Sequence, residues 1–359
     1  MATFDVLLPV RNGIEFLGEA IDSIRAQSFR DWRLLILDHG STDGSLDLAQ
    51  AYKDRDIRIE VHHLPLAEGL SGLLNLGLDL CDCRYVLRQD ADDVSLPDRM
   101  LVLAEAYLAD RELAVIGSQG DVIDAFGRKI GAIDMPTGRH ALAAAALFRT
   151  PICHPAASMR LDSLYRLGAR YGEDFMNVLP ATKKLRVPGL AEDYFLFGQL
   201  ALLAPCRNLE QGLIRYRWHG KNVGATHYLD QMRVAVSISR HLAESLAAKQ
   251  GVTWVDPAPF CNHGEALFDI EGRHDFKTEF YRLQEILKNE IADSDDLRRE
   301  LAFRHVVSNR STPLLAMRYL SFVLRHGIHQ TERNTVKSWL LRKVRQQPLL
   351  RISSPVLPA

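Results

Sequence analysis

No stretch of the 359-residue chain approaches the roughly 20 consecutive apolar residues that carry a helix across a bilayer. The amino terminus also lacks a basic segment followed by an apolar run of signal-peptide length, since MATFDVLLPV leads directly into a strand-like stretch. A soluble or peripheral cytoplasmic protein is the expectation. Cysteine is sparse: Cys81, Cys83, Cys153, Cys206 and Cys261 are odd in number and scattered, which argues against a disulfide framework and for a reducing compartment. Cys81 and Cys83 have no second ligand pair, so the spacing gives no structural zinc site. Where a dinucleotide-binding fold would carry G-x-G-x-x-G after its first strand, this chain has PVRNG. Repeats, low-complexity tracts and nucleic-acid motifs are missing, and the basic tail lacks the interleaved aromatics of a single-strand groove, so no nucleic acid is expected as a partner.

What is present is ordinary globular material, 47% hydrophobic and 25% charged, in a chain long enough for a large α/β domain and an appendage. The net charge of -1 conceals a split. Residues 298–351 hold twelve Lys or Arg against only Glu300 and Glu332, a balance of +10, which leaves -11 for the rest. A basic tail of this kind suits an anionic partner, although a solvated basic face gives the same pattern.

Apolar runs and helical periodicities alternate through the first ninety residues. FDVLLPV, RLLILD, IRIEVHH and the run Tyr85-Val86-Leu87 read as strands. Leu17, Ile21 and Ile24, then Leu46, Ala49 and Tyr52, then GLSGLLNLGLDL read as helices. That order predicts a doubly wound, mostly parallel sheet with helices on both faces. Asp90, Asp92 and Asp93 follow the fourth strand directly. Ligands collect beyond the carboxyl ends of strands in such sheets, and two carboxylates one residue apart suit a divalent cation, Mn²⁺ or Mg²⁺, that also touches substrate phosphates. Capping of the next helix, with Ser95 near its start and Pro97 in its first turn, is the structural alternative.

Three segments taken together, LLPVRNGIEFLGEAIDSIRAQSF, LILDHGSTDGS and YVLRQDADDVSLPDRM, resemble glycosyltransferase family 2, the inverting nucleotide-sugar enzymes of the GT-A fold. LAVIGSQGDVIDAFGRKIG, HPAASMRLDSLYRLGARYGEDF, AEDYFLFGQLALL and LIRYRWHGKNVG extend the likeness to about residue 226. It implies a catalytic region over residues 1–227, with a nucleotide-sugar half to about 95 and an acceptor half after it, followed by a helical region over 228–359. It further implies transfer of a hexosyl or N-acetylhexosaminyl group, from a UDP-sugar above others, to a glycan or lipid-linked acceptor in surface polysaccharide synthesis.

Carried over position by position, the resemblance assigns Pro9, Val10, Asn12, Asp38, Arg88, Asp90 and Ala91 to the nucleotide. Asp92 and His219 go to the metal, and Asp193 becomes the base that deprotonates the acceptor hydroxyl, with its neighbour Glu192 as the alternative. Asp93, Glu192, Arg217 and His154 are expected on the acceptor side or as support. Arg88 is open between pairing with Asp90 and approaching the nucleotide, Arg217 between a structural and a phosphate-facing cation, and Gly69 between close approach to the base and a helix start. The chain departs from the family pattern at His39, where a second acid is common, and at Arg11, where an aromatic is common.

Beyond residue 227 the likeness fades into helical patterns. Leu229, Met232, Val236 and Leu242 form an apolar stripe expected to pack on the catalytic region, and helices are expected over 276–291, 295–307, 313–326 and 334–346. In the last, Val336, Trp339, Leu340 and Val344 share a face and Lys337, Arg342, Lys343 and Arg345 much of the remainder, a pattern that fits an anionic membrane surface or a partner helix. Two rivals stand beside the transferase reading. A nucleotidyltransferase acting on sugar phosphates would carry a Gly-rich phosphate loop with Arg and Lys after the first strand, which PVRNGIEF lacks. A non-catalytic nucleotide-sugar or glycan-binding subunit would have no need of both Asp92 and Asp193.

Overall fold

FDVLLPV is apolar at nearly every position because β1 (Phe4–Val10) is buried along its whole length in a nine-stranded sheet. The computed structural model describes residues 2–220, 222, 226–262, 275–309 and 311–342. Strands β2 (Trp32–Asp38) and β4 (Tyr85–Arg88) flank β1, and β3 (Ile59–His63) continues beyond β2, all in parallel. Helices α1 (Ile14–Arg25), α2 (Ser45–Lys53) and α3 (Gly69–Leu80) connect these strands. In α1 the buried Leu17, Ala20, Ile21 and Ile24 follow the helical period. The register sets Val10 beside Asp38 and Leu7 beside Arg88, so the loops after β1, β2 and β4 emerge at one end of the sheet.

The second half of the sheet mixes directions. β8 (Ser158–Arg160) runs antiparallel between β4 and β6 (Val115–Asp124), and β7 (Lys129–Ile133) forms a hairpin with β6. The thirteen-residue β9 (Cys206–Trp218) lies parallel to β6 and accepts the two-residue β5 (Val94–Ser95) along its other edge. This last pairing, Val94 with Arg215, ties the segment just after the three aspartates to the strand that carries Arg217 and leads to His219.

Helices α4 (Arg99–Ala109), α5 (Arg139–Ala145), α6 (Leu161–Leu167) and α7 (Glu192–Leu203) complete this part. α7 is buried over Tyr194–Ala201 because it lies between two cores: Leu196, Phe197 and Leu200 enter the one under the sheet, and Tyr194 and Phe195 the one shared with the later helices. A helix with no polar face belongs in such a position.

The carboxyl-terminal helices are α8 (Tyr228–Lys249), α9 (Lys277–Glu290), α10 (Asp295–Val307), α11 (Thr312–His326) and α12 (Gln330–Arg342). In α8 Val236 and Leu242 are buried as expected, but Leu229 is 39% exposed and Met232 only partly covered. Contact with α5 and α7 begins at Ala235 and is carried by Ile238, Leu242 and Leu246. α12 begins ahead of its apolar pattern because Thr331 anchors its first turn, donating from its backbone N–H (3.1 Å) and Oγ1 (3.0 Å) to Asp134 Oδ2. Val336 and Trp339 are buried, whereas Lys343, Val344 and Arg345 lie outside the described residues. Asp296 at the start of α10 accepts from the backbone N–H groups of His140 and Ala141, both at 2.9 Å, and so caps α5. No helix of the described residues is long and apolar enough to cross a membrane.

Candidate active site

The loops after β1 and β2 are stitched into one surface. Asn12, left-handed at φ 55°, accepts the Thr42 N–H at 2.8 Å and donates its own N–H to Ser41 Oγ at 3.0 Å. The Gly13 and Ile14 N–H groups donate to Ser45 Oγ and Asp43 Oδ2. A side chain at Gly13 would meet Val10 Cγ2 at 3.0 Å and Ala91 Cβ at 3.6 Å, which puts the first loop directly against the acidic one. Asp38 is wholly buried and accepts from the Gly40 and Ser41 N–H groups and from His63 Nδ1 at 2.7 Å. It therefore organises its own loop, while His39 reaches back to the Ala67 carbonyl. Gly69 adopts φ 63° because a Cβ there would lie 2.7 Å from the Pro188 carbonyl oxygen, so its role is a close approach to the loop before α7.

At the end of β4 the carboxylates of Asp90, Asp92 and Asp93 can each offer an oxygen within 4.8 Å of the others. Arg88, fully buried, is ion-paired with Asp90 and donates to the Leu7 and Gln89 carbonyls. Asp93 accepts the Arg217 backbone N–H at 2.7 Å through Oδ1, and its Oδ2 is buried without a partner among the described residues. Burial raises the pKa of Asp90 and, well above the usual carboxylate range, that of Asp93; the neighbouring carboxylates add to the rise. His219 Nε2 stands 2.9 Å from Asp92 Oδ2, its ring lies 5.1 Å from that of Phe16, and its Nδ1 finds no partner among the described residues. The three crowded carboxylates, with an orphaned oxygen on Asp93, form a donor set suited to a divalent cation, and His219 abuts it through Asp92.

Arg217 resolves as a structural cation. It is 2% exposed, donates to the carbonyls of Asp92, Asp124 and Ala125, pairs with Glu19 at 2.5 Å and lies over the Phe16 ring. The other group of ligand-type side chains, Asp5, Asp82 and Cys83, is already filled by a cation, because Arg33 bonds both oxygens of Asp5 at 2.8 and 3.1 Å.

Glu192 and Asp193 begin α7 after two non-glycine residues in the left-handed region, Leu190 (φ 40°) and Ala191 (φ 64°). Such conformations are costly and persist where packing fixes them. Burial raises Glu192 to about 8, helped by the charge of Asp193. Burial likewise raises Asp193 to about 6, and the charge of Asp90 adds to the rise. His154 links the two acidic groups. Arg88 Nε donates to His154 Nε2 at 3.0 Å, which fixes the neutral ring with its proton on Nδ1, and that edge faces Glu192 Oε1 at 3.9 Å. Tyr171 Oη also lies 3.2 Å from Nε2, and burial beside Arg88 keeps the His154 pKa far below its ordinary value. The structure thus brings Asp90, Arg88, His154 and Glu192 into one buried chain, with Asp193 next to its end. Glu19, Phe16, Tyr171 and Asn222, which donates to the Arg217 carbonyl and reaches Asp92, lie inside the family-like segments, where the pattern does not mark them as participants.

The family description "Glycosyl transferase family 2" matches residues 5–168. An uncharacterized glycosyltransferase of Haemophilus influenzae is 24% identical over 250 residues, 66% of this chain and 71% of that protein. The putative glycosyltransferase EpsE of Bacillus subtilis is 32% identical over 162 residues, 45% and 57% of the two chains. The putative teichuronic acid biosynthesis glycosyltransferase TuaG of the same organism is 33% identical over 95 residues, so the chain spans 38% of its length. Among solved structures, S. aureus TarS 1-349 in complex with UDP superposes with a TM-score of 0.51 at 16% identity, covering 96% of this chain and 92% of that one. The same fragment with UDP-GlcNAc gives 0.51 at 14% identity, with 91% and 93% coverage. These likenesses bear on the fold.

Proposed function

We propose that the chain, which matches glycosyltransferase family 2 over residues 5–168, is a member of that family and moves a sugar from a UDP-sugar to a glycan or lipid-linked acceptor with inversion, assisted by a divalent ion. The observation that carries this reading is the buried chain from Asp90 through Arg88 and His154 to Glu192, which sets a cation-seeking cluster opposite a carboxylate of raised basicity. Asp92, with Asp90 and His219, would hold Mn²⁺ or Mg²⁺, which when bound neutralises the diphosphate leaving group. Pro9, Val10, Asn12 and Asp38 shape the surface for the nucleoside, and Arg88 counters the rise that burial gives the Asp90 pKa. Asp193 accepts the acceptor's hydroxyl proton as that oxygen bonds the anomeric carbon. The bond from that carbon to the diphosphate breaks, its electron pair leaving with the phosphate. Glu192 keeps its proton near neutral pH, so only one charge of the pair stands at the acceptor. Thermal stabilisation by a panel of nucleotide sugars, with and without Mn²⁺, tests the donor. Equal shifts with and without the metal, or none by UDP-sugars, would refute it.

The partner surface is assigned to α11. Leu314, Met317, Leu320, Leu324 and Ile328 recur along one side of the helix and the turn after it at 38–79% exposure. Between Glu300 and Glu332 the sequence has no carboxylate, and those two are buried against Arg304 and Arg299. An apolar stripe among uncompensated cations suits the cytoplasmic face of an anionic bilayer, where a lipid-linked acceptor would lie. Vesicles containing phosphatidylglycerol should sediment the protein and phosphatidylcholine vesicles should not; Leu320→Glu with Leu324→Glu should abolish the difference. Equal behaviour toward both vesicle types would overturn the assignment.

A further inference from the structure

The opposite end of the sheet carries a cleft of about 1040 Å³ that the transfer reaction leaves unused. It opens beside Tyr85, the first residue of β4, whereas Asp90 lies five residues on, roughly 17 Å along an extended chain. Arg84, Arg111 and Arg160 line it. Arg160 is held in place: Nε donates to the Leu113 carbonyl at 3.0 Å, and the guanidinium lies 5.3 and 5.1 Å from the ring centres of Tyr85 and Tyr107, themselves stacked at 4.1 Å. Its Nη2 is buried and has no hydrogen-bond partner among the described residues. Arg84 and Arg111 are exposed and make no side-chain ion pair among the described residues.

The carboxylates of the cleft do not answer these cations. Asp82 is paired with Arg33 at 3.0 Å and Asp162 with Arg166 at 3.1 Å. Arg84 and Arg111, exposed beside the fixed Arg160, leave the cleft with guanidinium groups that no carboxylate pairs among the described residues, and a planar guanidinium matches the oxygens of a phosphate in paired hydrogen bonds. Tyr165 and Leu108, 52% and 64% exposed on the same walls, supply apolar surface for whatever carries that phosphate.

We propose that this cleft is a second binding site, distinct from the site of transfer, for a phosphate-bearing ligand gripped by Arg84, Arg111 and Arg160. The phosphate belongs to a soluble chain or to a lipid headgroup, and the shared chemistry is the recognition of phosphoryl oxygens by guanidinium groups. Inorganic pyrophosphate, titrated calorimetrically into the full chain in chelator, is the first probe. Binding should weaken with added salt and fall about tenfold for each arginine lost in Arg84→Gln and Arg111→Gln, both exposed and outside the transfer machinery. Melting temperature and donor KM should be unchanged in the double variant. Phosphatidic acid vesicles, tested in the Leu320→Glu/Leu324→Glu background so that α11 does not hold them, distinguish the source: binding that is lost on adding the two arginine substitutions identifies a headgroup, and no vesicle binding in that background alongside retained pyrophosphate binding identifies a soluble ligand. Failure of the wild-type chain to bind pyrophosphate, or equal binding by the double arginine variant, would overturn the site.

Discussion

Two groups of acids, each with one buried member (Asp93, Glu192) beside half-buried ones, meet in this molecule, and they are compensated by different means. The Asp90, Asp92 and Asp93 cluster is surrounded by fixed cations and donors: Arg88 on Asp90, His219 on Asp92 and the Arg217 N–H on Asp93. Asp193 accepts a backbone hydrogen bond from Tyr194, and neither Glu192 nor Asp193 is paired with an Arg or Lys among the described residues. Arg88 offsets their burial from a distance, and His154 presents a neutral ring. Burial raises the pKa of acids in both groups, and the first group adds an ion pair, Arg88 with Asp90, that the second lacks among the described residues. In the proposed reaction, that difference would separate the roles of holding the leaving group and accepting a proton, without any difference in side-chain chemistry.

The largest break in this contrast is Asp92→Ala, which should reduce transfer to background and remove stabilisation by Mn²⁺ while leaving the melting temperature of the metal-free protein nearly unchanged. Asp193→Asn comes next: turnover should fall by about 10² to 10⁴, with nucleotide affinity by calorimetry close to wild type. Loss of activity through loss of donor binding would instead assign Asp193 to the donor side. Because Asp193 must be ionised to act, wild-type kcat/KM should rise with pH through about 6, the acidic limb belonging to the coupled pair. His154→Phe cuts the link between the two groups. A loss of roughly 10 to 100-fold is expected, as for other residues that orient a functional neighbour, together with a displaced acidic limb that simple destabilisation would not produce.

Glu192→Gln should have the smallest effect on turnover and an informative effect on stability. Native Glu192 titrates near 8 rather than its ordinary 4.5, so the native state binds more protons than the unfolded chain between those values, and stability falls as pH rises across that window. Gln removes the loss. The variant should melt several degrees above wild type at about pH 9, and the two should converge toward about pH 5. A difference independent of pH would show that Glu192 is not a buried proton carrier.

Much of this arrangement is legible from local pattern. The parallel strands, the acidic turn after Tyr85-Val86-Leu87 and the helix that starts at Glu192 each follow from composition over a few residues, and the joint occurrence of the motifs supplies the family. What stays hidden depends on distance in the chain. Arg88 and His154 are 66 residues apart and Arg217 and Glu19 are 198 apart, and nothing in either segment specifies its partner. Leu190 and Ala191 show no glycine or asparagine to signal their left-handed backbone, because packing imposes it. Leu229 illustrates the reverse failure: a helical stripe reports which residues share a face and says nothing about how far the neighbouring helix extends.

The cap that Asp296 places on α5 bears on how such a protein can be recombined. Two amides of a helix in the first 227 residues are satisfied by a carboxylate from the last quarter of the chain, and Phe148 and Phe195 share their core with Leu242, Phe280 and Leu301. A chimera joined after residue 227 would strip the acceptor side of that support unless the grafted segment brought an equivalent acid to the same place. Exchange of tails between relatives should therefore succeed only when the seam is moved and α5 travels with its cap.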